Sequence, residues 1–109
     1  MQQKFGIGVA LHGAGEWCLD SETRDNIVAR RNVLIGMWAG RLLGKSGEAL
    51  AAYARETHIS DFEVPGDSDI VSKLSSDLAN AGYELDGQAI RQQLGIFRRQ
   101  AYLESVATD

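Results

Sequence analysis

From Asp20 to the C-terminus, apolar side chains recur at steps of three and four residues, and the recurrence breaks at Gly44, at Pro65-Gly66 and at Gly82. That period is close to the 3.6 residues of a helical turn, so each stretch presents one apolar stripe. A stripe of this kind cannot be buried by one helix alone. The connections between stretches are short, which favours antiparallel or steeply crossed neighbours. The pattern predicts an all-α fold, a four-helix bundle or a close variant, over residues 20–109, preceded by an arm over residues 1–19.

The first helix is expected from Asp20 to Leu43, with Asp20 or Ser21 as its cap and Ile27, Leu34, Trp38 and Leu42 on one face beside Ile35. Trp38 is read as core. Gly44 is suited to the left-handed conformation that ends a helix. Gly36 and Gly40 lie four apart on one side, where a neighbouring backbone can approach closely. Ser46 is expected to cap the second helix, which carries Leu50, Tyr53, Ala54, Thr57 and His58 toward Phe62 before Pro65-Gly66 stops it. Asp67 or Ser68 would cap the third, with Val71, Leu74, Leu78 and Ala81 in step. Asp86 would cap the fourth, with Ile90, Leu94, Phe97 and Ala101.

Residues 1–19 differ in kind. Phe5, Ile7, Val9 and Leu11 alternate with small or polar residues, and Gly6, Gly8, Gly13 and Gly15 dilute the stretch. A lone strand period has nothing to pair with, so an extended or disordered arm is expected. The stretch has one positive charge and no good small-residue cleavage site before Trp17, which argues against a secretory signal and for the cytoplasm. No run approaches the roughly 20 apolar residues of a membrane span. Cys18 is the sole cysteine and cannot form an internal disulfide.

The net charge of −4 is unevenly spread. Between Asp20 and Lys45 five basic residues face three acidic ones, whereas between Ser46 and Asp69 Arg55 faces six acidic residues. This polarity suits oriented packing or a charged partner. It lacks the broad basic face that nucleic acid requires.

The motifs of enzyme chemistry are missing. Gly6-x-Gly8 and Gly13-x-Gly15 lack the third glycine of a dinucleotide fingerprint, and Gly44-Lys45-Ser46 follows Gly40 one residue too closely for a phosphate loop. His12, His58 and Cys18 share no metal-ligand spacing. Asp67-x-Asp69 begins like a calcium loop but continues with Val71 and no turn glycine. His58 near the end of the second helix suits the helix dipole. No catalytic, cofactor or metal residue is assigned. Residues with a potential for partner binding are Phe5 and Trp17 in the arm and the Arg30-Arg31 pair, whose adjacent charges diverge on a helix.

Several motifs stand in register. Ala29-Arg30-Arg31-Asn32, Leu34-Ile35-Gly36-Met37-Trp38-Ala39 and Leu42-Leu43-Gly44 are followed by Ala52-Tyr53-Ala54 and Asp61-Phe62-Glu63-x-Pro65-Gly66-Asp67. Lys73, Asp77-Leu78-x-x-Ala81-Gly82 and Ile90-Arg91 complete the order. Together they resemble the ATPase-inhibitor zeta-subunit family of alpha-proteobacterial F-type ATP synthases, over roughly residues 27 to 104. The resemblance implies a four-helix protein that binds the catalytic head of the synthase and blocks ATP hydrolysis through a charged N-terminal segment that becomes helical on binding. The leader departs from that pattern: it is glycine-rich and carries only Lys4 and Glu16. Inhibition is therefore expected to be weak or lost. The alternative is a diverged, non-catalytic helical binding module with no ATP synthase partner.

Overall fold

The computed structural model describes residues 21–62 and 66–107. They form four helices: α1 (Ser21–Leu42), α2 (Gly47–Ser60), α3 (Ser68–Asn80) and α4 (Gly87–Ala107). The protein is an all-α four-helix bundle, as the apolar period requires. The leader, with Phe5 and Trp17, lies outside the described residues. α1 packs along both α2 and α4, while α3 closes the far side against the same two helices. α1 runs opposite to both α2 and α4. Gly36 faces Ala54 and Thr57 of α2 while Gly40 faces Leu50 and Tyr53, and on the other flank Arg30 pairs with Glu104 and Trp38 with Phe97.

The core gathers Ile35, Ala39, Tyr53, Ile70, Val71, Leu74, Leu78, Ile90 and Leu94, with Trp38, Leu42, Leu43, Leu85 and Phe97 packed against it. Val71, Leu74 and Leu78 of α3 and Ile90, Leu94 and Ala101 of α4 are buried as read and Phe97 is half-buried, whereas Ala81 lies past the end of α3 and is exposed. α1 differs from expectation. Its buried face is Ile27, Arg31, Asn32, Ile35, Gly36, Ala39 and Gly40. Leu34, Trp38 and Leu42 flank that face half-buried. The face is rotated because two glycines and a polar pair, which an apolar count does not register, share it with Ile27, Ile35 and Ala39.

Helix ends follow local chemistry. Gly44 takes φ +84, its N–H donates to Arg41 O at 3.0 Å, and Lys45 N–H donates to Gly40 O at 2.9 Å. The same six-to-one and five-to-two pair recurs at Gly82 (φ +96), from Tyr83 to Leu78 O and from Gly82 to Ala79 O. Both are Schellman stops, which only a residue tolerant of positive φ can make cheaply. Asp86 caps α4 as expected, its Oδ1 accepting from Ala89 N–H at 2.9 Å. Ser46 and Asp67 flank their helices but make no side-chain cap bond. In Asp67 the reason is plain: its carboxylate is drawn to Arg31.

Candidate functional site

The most unusual feature of the interior is polar. Arg31 and Asn32 sit at the middle of α1, 5% and 0% exposed, facing the end of α2 and the α2–α3 linker. Buried polar groups of this kind must be satisfied. Asn32 Oδ1 accepts from Arg31 Nε at 3.0 Å and from Nη2 at 2.8 Å. The guanidinium reaches on to Asp67, with Nη1 at 3.3 Å from Oδ2 and Nη2 at 3.1 Å from Oδ1, and Nη2 lies 3.5 Å from Asp61 Oδ2. A planar fork meeting a carboxylate at two points is the arrangement arginine performs best.

Because Arg31 occupies the amide oxygen of Asn32, its amide nitrogen must face the other way. It donates to Asp61 Oδ2 at 3.1 Å and to His58 Nδ1 at 3.2 Å. His58 Nδ1 is then an acceptor, which fixes the tautomer with the proton on Nε2. The ring also meets Phe62 edge-on, with centroids 4.8 Å apart. This cluster clamps the middle of α1 to both ends of the α2–α3 linker. Its contacts among the described residues are those of a structural clamp.

The two arginines of the expected binding pair part company here. Arg31 is an interior group, 5% exposed and engaged with Asn32, Asp61 and Asp67. One residue along a helix is a turn of about 100°, enough to send neighbours to opposite environments. Arg30 remains outside, half-exposed, with Nε 2.9 Å from Glu104 Oε1 on α4. Asn32, His58, Asp61 and Asp67 were not among the expected site residues. Asn32, Asp61 and Asp67 do lie inside the matching motifs, and His58 does not.

A second polar constellation lies between α2 and α3. Tyr53 Oη donates to Asp77 Oδ2 at 2.7 Å, and Lys73 Nζ reaches the same oxygen at 3.0 Å and Glu56 Oε1 at 3.5 Å. The Lys73 and Lys45 ammonium groups lie 4.7 and 5.6 Å from the centroid of the Tyr53 ring. A groove of about 550 Å³ opens beside them, lined also by Leu43, Ala49, Ala52 and Asn80. Burial, followed by the bond to Asp77, pushes the Tyr53 hydroxyl far above its ordinary range, so it stays a donor. Burial alone would raise Asp77, but the bonds from Tyr53 and Lys73 outweigh it and hold the carboxyl below its usual value.

That depression fixes a sign. Asp77 binds its proton more weakly folded than unfolded, so it stabilises the fold above the ordinary carboxylate range near pH 4. The contribution is lost as pH falls through the lowered value. Thermal unfolding of wild type and Asp77→Asn is expected to differ most at neutral pH and to converge below about pH 4. A gap that widens on acidification would reverse the assignment.

Among the described residues no group of three or more His, Cys, Asp or Glu side chains is placed to hold a metal ion, and no helix is long and apolar enough to cross a membrane. Compared with known proteins, the chain matches the family model of the ATPase inhibitor subunit zeta over residues 15–104. No curated protein and no solved structure matches it.

Proposed function

The chain belongs to the ATPase inhibitor subunit zeta family, and on that premise we propose that it is a regulatory subunit that docks on the catalytic head of an F-type ATP synthase. The observation that carries this reading is the extent of the family match, which takes in all four helices and both polar constellations. The bundle is the docking body. It sits at the cytoplasmic face of the membrane through the synthase. Of the candidate contacts with the head, Arg30 lies on the bundle, and Phe5 and Trp17 of the leader add little to the affinity.

Inhibition of ATP hydrolysis by this chain is weak. An inhibitory segment that becomes helical on binding must meet the cost of ordering. Each glycine in a helix interior adds up to about 1 kcal/mol to that cost, and the leader has Gly6, Gly8, Gly13 and Gly15. The test is to mix the chain with purified catalytic head, separate by size and assay ATP hydrolysis across the peak. Co-elution with a rate close to that of the head alone is expected. A head that elutes free of the chain refutes docking, and strong inhibition refutes the weak-inhibitor reading.

A further inference from the structure

The outer face of α4 gathers three of the exposed large apolar side chains on one helix. Its inward face is Ile90, Leu94, Phe97 and Ala101. Turned about 180° from these at 100° per residue, Ile96, Arg99, Leu103 and Val106 form a second stripe roughly 15 Å long. Ile96 is 57% exposed and Leu103 and Val106 are each 47% exposed. Among the described residues nothing covers them.

At the N-terminal edge of this stripe lies Gly95, and a Cβ added there would meet nothing within 4 Å. Gly36 and Gly40 each admit α2 to α1; Gly95 serves no such contact among the described residues. A helix-interior glycine lowers helix stability, so one with no internal packing role points to a close approach from outside.

Charge narrows the partner. From Gly87 to Leu103, α4 carries Arg91, Arg98 and Arg99 and no acidic residue, while from Ser46 to Asp86 nine acidic residues face two basic ones. Arg91 and Arg99 are exposed. The one acid of α4, Glu104, is already engaged by Arg30 and Gln100. A basic rim around apolar side chains complements carboxylates around an apolar patch.

We propose that the Gly95–Ile96–Arg99–Leu103–Val106 face of α4 is the surface that docks on the synthase head, against an apolar element rimmed by carboxylates that lies closest at Gly95. The inference rests on the docking reading above and adds the face to it.

The test measures affinity of the full-length chain for the purified catalytic head by titration calorimetry, with thermal unfolding of each variant alone. Wild type binds. Leu103→Glu and Arg99→Glu each weaken binding at least about tenfold, and both keep the wild-type unfolding midpoint because their side chains are exposed. Gly95→Ala raises the midpoint of the free chain, and Gly95→Leu weakens binding by blocking the approach. Ile59→Glu, on the exposed end of α2, leaves affinity unchanged. If wild type itself does not bind, the docking reading fails. If wild type binds and the α4 variants bind equally well, or Ile59→Glu weakens binding as much, this face is not the interface. A chain that is a dimer alone and is split by Leu103→Glu assigns the face to self-association and overturns the proposal.

Discussion

Gly36→Ala is expected to destabilise the bundle by about 1–3 kcal/mol, the cost of overpacking a tight contact. Alanine would ordinarily gain about 1 kcal/mol over glycine in a helix, so a loss here requires a steric cause. The cause is backbone. A Cβ at Gly36 would stand 2.8 Å from Ala54 Cα and 3.0 Å from both Cβ and Oγ1 of Thr57. Thr57 is fully buried and its hydroxyl is committed to Tyr53 O at 2.9 Å, so it cannot rotate aside. The two helices must separate along their length.

Gly40 supplies the control. A Cβ there would come within 2.6 Å of Leu50 Cδ1, which is nearer still, and 3.3 Å from Tyr53 Cδ2. Yet Leu50 is only half-buried, and its methyl is the free end of a flexible side chain. A change of rotamer relieves the clash, and the helix gain offsets it. Gly40→Ala should stay within about 1 kcal/mol of wild type. Urea unfolding followed by circular dichroism separates the two, and equal losses at both positions would mean that α1 and α2 do not meet backbone to backbone at Gly36.

The second large effect is predicted for neighbouring arginines. Arg31→Met should cost about 3–5 kcal/mol, the usual penalty for stranding the partners of a buried charge. The Asp61 side chain is 13% exposed, and its Oδ1 already lacks a hydrogen-bond partner. Without Arg31 it keeps only the amide of Asn32, and Asn32 loses both donors to its oxygen. Arg30→Met removes an exposed pair with Glu104 and should cost no more than about 1 kcal/mol. Calorimetric unfolding of both variants checks the contrast. Comparable small losses would show that water reaches Arg31 and that the clamp is not closed.

These two sites also show what could be seen in the chain before its structure. Val71, Leu74 and Leu78 of α3, and Ile90 and Leu94 of α4, were visible because apolar side chains mark a buried face directly. Gly44 and Gly82 were visible because a helix stop needs positive φ. In α1 the same rule placed Leu34, Trp38 and Leu42 at the centre of the buried face. The buried face also holds Arg31, Asn32, Gly36 and Gly40 around Ile35 and Ala39, and an apolar count registers none of those four.

The polar clamp was less visible still. Arg31 meets Asp67 across 36 positions and Asn32 meets Asp61 across 29, separations that no local pattern encodes. Asp67 was read as a helix cap because a carboxylate at that position usually is one, and a stronger cation diverted it. The outer stripe of α4 escaped for the opposite reason. Ile96, Leu103 and Val106 look like ordinary apolar residues until the buried face is known to be elsewhere.

The central claim is that this chain docks through its helices and not through its leader. Size-exclusion chromatography of the purified catalytic head with the full chain, and with a chain lacking residues 1–19, tests it directly. The core residues begin at Ile27, so the shortened chain keeps every one of them. Both chains are predicted to co-elute with the head to the same extent. Co-elution of the full chain alone, or of neither, would contradict the account.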